Sequence, residues 1–154
     1  MGIGLAVFCR ECDYSRHIEL GVGMRYAPEN IMDFESGKPM LWTLIRSRKT
    51  VEQIKALVEE ERAVMAGRYG HYIYRCPECG ELHSRFFIHL DYSGGSFEPV
   101  YRCGRCRSTL SRVDHFSGEG FFEERIAGII ASLPCPKCGR RSLQIDDAVT
   151  IMWD

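Results

Sequence analysis

Eight cysteines in four CxxC pairs constrain this chain more than any other feature: Cys9/Cys12, Cys76/Cys79, Cys103/Cys106 and Cys135/Cys138, with no cysteine left over. A CxxC turn aims two sulfurs at one ion about 2.3 Å away, and two such turns close a tetrahedral four-thiolate site. The arithmetic therefore points to two metal sites. Disulfides are the competing reading, but disulfide-dense chains are short, secreted and poor in core. This chain has 154 residues, of which 45% are hydrophobic, enough for real cores. Its start, MGIGLAVFC, has no basic segment ahead of the apolar stretch, so a secretory signal is not expected. Phe8 is too large to precede a lipidated cysteine, and Ala6 stands where a myristoyl signal needs Ser or Thr. No apolar run approaches a membrane span. A reducing cytoplasm and bound metal are the expectation.

The turns differ in quality. CPECG at 76–80 and CPKCG at 135–139 place Pro after the first Cys, fixing φ, and Gly after the second, where φ > 0 is needed. They have the form of the knuckles in zinc-ribbon and rubredoxin-like modules. The first turn carries Asp13 and the third Arg107 at that last position. Zinc is favoured over iron because nothing in the sequence suggests a redox partner, which leaves a rubredoxin-like iron electron carrier as a minor alternative.

Between the first two knuckles, Val51, Ile54, Leu57, Val58 and Met65 recur at helical spacing, Thr50 and Gln53 have capping-box spacing, and Gly67 can end the element. The pattern predicts the main amphipathic helix at about 49–66. A second, shorter helix is predicted at about 119–133 from Phe122, Ile126, Ile129, Ile130 and Leu133, ended by Pro134. Strands are expected at Tyr72–Tyr74, at Phe86–Tyr92 and in the alternating Val149, Ile151 and Trp153, with a turn at 93–96. Residues 21–48 show no clear element and read as an extended loop with a short strand. The fold class is thus α+β, with two zinc-ribbon modules of short antiparallel strands. Sequential pairing, first knuckle with second and third with fourth, is preferred and divides the chain into residues 1–98 and 99–154. The hairpin between the second and third knuckles keeps a nested pairing open.

The chain resembles small bacterial proteins of the zinc-ribbon superfamily. The resemblance rests on Cys9 to Cys12, the stretch Gly21-Val22-Gly23-Met24-Arg25-Tyr26, the Cys135-to-Gly139 knuckle and the terminal Trp153-Asp154. It implies metal binding and sequential pairing, and no particular activity.

Catalysis is not expected, because a catalytic zinc keeps an open position and all eight thiolates are needed to close two sites. His17-Ile18-Glu19 and Pro134 to Cys138 imitate the two halves of a zinc-deaminase signature, but the halves lie 115 residues apart and the second is already a knuckle. His17, His71, His83, His89 and His115 share no spacing, and no Ser-His-Asp arrangement or complete dinucleotide fingerprint can be read. Nucleic acid is the partner that ribbons invite. Two Zn2+ and eight thiolates take the formal charge from −1 to −5, which disfavours a binder that uses its whole surface. The cations are clustered, however: Arg102, Arg105, Arg107 and Arg112 around the third knuckle, Lys137, Arg140 and Arg141 around the fourth. Under sequential pairing these seven gather at one end as a phosphate-facing patch, with Tyr101 and Phe116 available to stack. Equally, cations compensate a four-thiolate centre of charge −2 whatever the partner. The expected function is a non-catalytic binding module for nucleic acid or, alternatively, a protein-interaction adaptor.

Overall fold

The computed structural model describes residues 2–35, 40–113 and 122–153, with side chains at 123, 147–151 and 153 outside the description. His115 and Phe116 fall outside it. The fold is α+β, as the sequence predicts.

The chain opens in β1 (Gly2–Cys9) and β2 (Ser15–Gly21), an antiparallel pair whose turn is the first knuckle. Ile3, Leu5 and Val7 point to one face, opposite Leu20, Ile18 and Arg16, in the period-two alternation of a half-buried sheet. Residues 21–48 are not an extended loop. A 3-10 turn (Met24–Tyr26), α1 (Pro28–Ile31) and α2 (Leu41–Leu44) occupy them, and no strand lies among their described residues beyond the last position of β2. These short helices are held by packing: Ile31, Phe34, Leu41 and Ile45 are all buried. No periodicity long enough to be read announces them.

The main helix, α3, spans Arg48–Glu61. Its cap is Ser47, whose hydroxyl accepts from the Thr50 N–H at 3.3 Å, three residues ahead of the cap the sequence suggested. It ends before Gly67 because Arg62 turns left-handed (φ 56°). Met65 then lies in β3 (Val64–Met65), paired with β6 (Leu90–Tyr92), which pairs in turn with β7 (Gly95–Phe97).

β4 (Gly70–Arg75) and β5 (Leu82–Phe87) flank the second knuckle. β8 (Ser111–Arg112) follows the third, α4 (Phe122–Ser132) precedes the fourth, and β9 (Leu143–Trp153) follows it. The strands form a six-stranded sheet in the order β5-β4-β2-β1-β9, with β8 also on β4, and the three-stranded sheet β3-β6-β7. Strand pairing therefore crosses position 98 twice, at β1–β9 and at β4–β8.

Three apolar clusters result. The first packs Leu5, Val7, Ile18, Leu20 and Leu143 against Ile126 and Ile130 of α4, with Cys9 and Cys135 in it. The second joins α3 to Phe86, Ile88 and Leu90 and contains no cysteine. The third is aromatic, with Tyr72, Tyr74 and Phe87 around Cys76 and Cys103. No described helix is long and apolar enough to cross a membrane.

Candidate metal centres

The sulfurs gather in two groups of four. Cys9, Cys12, Cys135 and Cys138 form the first centre, and Cys76, Cys79, Cys103 and Cys106 the second, with all sulfurs of a group within 4.8 Å of one another. This corrects the sequential pairing: the nested arrangement is the one present. The physical reason is the sheet. β9 pairs with β1 from Cys9↔Leu143 to Gly2↔Trp153, which carries the fourth knuckle to the first and leaves the second and third to face each other.

Each group fits a metal ion. Cys9 stands 3.7 Å from Cys138, and Cys12 3.7 Å from Cys135. In the second centre Cys76–Cys106 is 3.3 Å, Cys79–Cys103 3.6 Å and Cys79–Cys106 3.8 Å. Four ligands about 2.3 Å from a tetrahedral ion are separated by about 3.8 Å. All eight cysteines are free thiols, not disulfides. In both centres two cysteines are buried, one is half-buried and one, Cys138 or Cys106, is exposed.

The knuckles repeat one backbone device. The N–H of the first Cys donates to the carbonyl five residues on, at Tyr14, Glu81, Ser108 and Arg140, at 2.8–2.9 Å. In three of them the residue after the second Cys donates back to the first Cys carbonyl: Gly80, Arg107 and Gly139. That position is left-handed, with φ of 74° and 75° at the glycines and 67° at Arg107, so the third knuckle pays backbone strain that the second and fourth avoid. Asp13 is not among the residues with positive φ, so the first knuckle lacks this return turn. The N–H groups of Glu11, Arg105 and Lys137 point at the first sulfur of their knuckles at 3.4 Å.

As thiols, the groups resist uniform ionisation. Cys9 is held down to about 6, first by the Ser142 hydroxyl 3.1 Å from its sulfur, and Cys106 to about 6, first by Ser108. Cys12 and Cys79 feel the backbone of Tyr14 and Glu81, which lowers them, but burial and their neighbouring cysteines outweigh it and push each up to about 12. A bound dication would supply the charge that lets all four ionise.

The seven cations do not gather at one end. Arg102, Arg105, Arg107 and Arg112 belong to the second centre, Lys137, Arg140 and Arg141 to the first. Lys137 pairs with Asp13, and Arg140 with Glu11 at 2.6 Å, so acids of the first knuckle meet bases of the fourth. Lys137 and Asp13 hold each other charged, Asp13 shifting down and Lys137 up. Arg141 donates to the Ser132 carbonyl at the end of α4. Around the second centre, the Arg112 guanidinium lies 3.6 Å over the Phe87 ring and 5.2 Å over Tyr72, and Arg102 donates to the Arg107 carbonyl at 3.3 Å. Arg105 and Arg107 are exposed and make no ion pair among the described residues. Tyr101 is half-buried, its hydroxyl donating to the Phe86 carbonyl at 2.5 Å.

Spacing did not reveal Glu81, a carboxylate in a chain position that looks like any solvated acid. Only 8% exposed, it accepts from Tyr14 Oη at 3.0 Å and from Arg16 at 2.5 Å. Because the carbonyls of Tyr14 and Glu81 receive the N–H of Cys9 and Cys76, this carboxylate ties a knuckle of one centre to a knuckle of the other. His17 and Glu19 sit exposed on β2, in no helix. His71, Glu19 and Ser84 do come together, yet Ser84 and Glu19 both approach the same Nδ1, at 3.5 and 3.7 Å, and Ser84 donates to the Glu19 carbonyl. That is not the relay of a nucleophilic triad, which uses both ring nitrogens.

No protein-family model, curated protein or solved structure matches this chain. The ribbon-like character rests on the two facing CxxC–CxxC groups themselves.

Proposed function

We propose that both centres hold zinc as structural ions and that the protein is a non-catalytic module that binds nucleic acid through the face around the third knuckle. The metal reading is supported by four thiolates filling the tetrahedral coordination at each centre, which leaves no open position for activating water. The observation that carries the partner is a contrast between the knuckles. Lys137 and Arg140 are spent on Asp13 and Glu11, whereas Arg105 and Arg107 project from a hairpin of the chain without an acidic partner among the described residues. Guanidinium groups free of local acids suit phosphate oxygens. Arg102 and Arg112 are exposed as well, Arg112 with its guanidinium over the Phe87 ring.

The test is retardation of single- and double-stranded oligonucleotides by the zinc-loaded protein across a salt series. Binding should weaken as salt rises, and Arg105→Glu with Arg102→Glu should weaken it alike for all sequences and lower the salt slope. Absence of binding at low salt would refute this reading in favour of a protein-interaction adaptor. Elemental analysis giving about two zinc per chain, rather than iron, tests the metal.

A further inference from the structure

The nested pairing makes a cleft that neither knuckle has alone. Arg10 and Glu11 of the first knuckle face Arg140, Arg141 and Ser142 after the fourth, with Ala131 of α4, Leu143 and Gln144 closing a concavity of about 370 Å³. The walls are tied by the Arg10 N–H donating to the Ser142 carbonyl at 3.0 Å. Three arginines line the cleft against one glutamate. Glu11 is engaged by Arg140. Arg141 is oriented by its bond to the Ser132 carbonyl, and Arg10 has no ion pair among the described residues.

We propose that this cleft binds a phosphate monoester. Once Arg140 is matched by Glu11, the two remaining guanidinium groups balance the charge of close to −2 that a monoester carries at neutral pH. A diester has one charge and no free end to enter a concave site, so the chemistry selects a terminal phosphate over an internal one. Arginine also offers paired donors in the fork geometry that phosphate oxygens accept, and exposed Gln144 adds an amide donor. The opposing influence is the −2 of a loaded tetrathiolate, with Cys9 in contact with Ser142 of the cleft wall. Its attraction for these arginines is the alternative account of why they are there.

The inference rests on the metal reading of the first centre, since the two knuckles are the cleft walls. It does not depend on the arginines of the third knuckle. Zinc-loaded protein is titrated at neutral pH and low salt with a nucleoside 5′-monophosphate, the same nucleoside without phosphate, and inorganic phosphate, following backbone amide shifts of Arg10, Ser142 and Gln144. The monophosphate and inorganic phosphate should saturate and the nucleoside should not. Arg10→Ala and Arg141→Ala should each weaken binding about tenfold or more, the scale of a lost charge-assisted contact, with zinc content unchanged. Arg48→Ala, at the exposed start of α3, should have no effect. Arg141 also holds the end of α4, so if its variant loses the fold, Arg10→Ala decides alone. A 5′-phosphorylated oligonucleotide compared with its 5′-hydroxyl form separates a nucleic-acid end from a small phosphomonoester as the source. No saturation by about 10 mM, equal binding of the bare nucleoside, or equal binding by Arg10→Ala overturns the proposal and leaves charge compensation.

Discussion

The two four-cysteine centres share residue type, spacing and one exposed cysteine each, yet they are built into the protein differently. The first joins Cys9 to Cys138 across 129 residues, sits on an aliphatic core with α4, and matches the acids of one knuckle to the bases of the other. The second joins Cys76 to Cys106 across 30 residues, sits on an aromatic cluster against which Arg112 stacks, and leaves Arg105 and Arg107 exposed. One kind of knuckle thus serves as a long-range clasp in one place and as a local platform in the other. At the clasp, acids of one knuckle neutralise Lys137 and Arg140 of the other; at the platform, Arg105 and Arg107 have no acidic partner among the described residues.

The strongest way to break this comparison is to remove the metals. Structural zinc supplies folding free energy on the order of 10 kcal/mol in small domains, so chelation should unfold both ribbons. The α3 core contains no cysteine, so hydrogen exchange should retain protection near Val51 and Ile54 when α4 has lost it. Uniform loss would show one cooperative unit instead. Between single ligands, Cys138→Ser should cost more than Cys106→Ser by roughly 1 kcal/mol, because closing the longer loop restricts the unfolded chain more. Denaturant unfolding of the two variants at equal free zinc measures the difference, and equal costs would remove the distinction between clasp and platform.

Ile54→Ala sharpens the same contrast from the metal-free side. Ile54 is fully buried in α3, and truncating such a side chain costs about 2–5 kcal/mol. The cost should be the same at low and high zinc, since no ligand touches that cluster.

Part of this organisation was legible in the sequence. The CxxC pairs marked the members of the two four-cysteine groups, the apolar spacing marked α3 and α4, and the alternation marked the final strand. The choice between sequential and nested pairing was not legible from spacing, because strand order in a sheet depends on which edges find each other. One overlooked signal was charge. Glu11 and Asp13 in the first knuckle complement Lys137 and Arg140 in the fourth, and that match points to the nested partner. The helices of residues 21–48 escaped because elements of four residues have no period to read, and their formation depends on burying Ile31 and Leu41.

The bridge between the centres sets a smaller effect. Glu81→Gln keeps the shape but weakens the contact with Arg16, whose side chain is 42% exposed. The loss is expected at about 1.5 kcal/mol, the low end of the range for a hydrogen bond to a charged group, because water screens the half-exposed Arg16. If the bridge joins the centres, zinc transfer to a chromophoric chelator should speed up at both; faster release from only one would show that they are independent.

The smallest effect separates two histidines that lie six residues apart, His83 and His89. His83, on β5, is 9% exposed, with Nε2 buried and unpartnered, and burial, then Arg85 and Arg16, hold it below its ordinary value. His89 lies between Glu98 at 2.8 Å and Asp91 at 3.0 Å, and both carboxylates, Glu98 first, raise it. The signs are opposite. Below the ordinary histidine value of about 6.5 the unfolded chain protonates more readily than folded His83, so stability falls as pH drops through that value. Folded His89 keeps its proton above that value, so its contribution is complete below about 6.5 and is lost as pH rises through its raised folded value. At saturating zinc, His83→Gln should flatten the acid side of the stability profile and His89→Gln the other, with NMR titration of the two rings checking the assignment. Because His89 is exposed enough for water to screen its partners, its effect should be the weaker, and a larger one from His89 would contradict the burial argument.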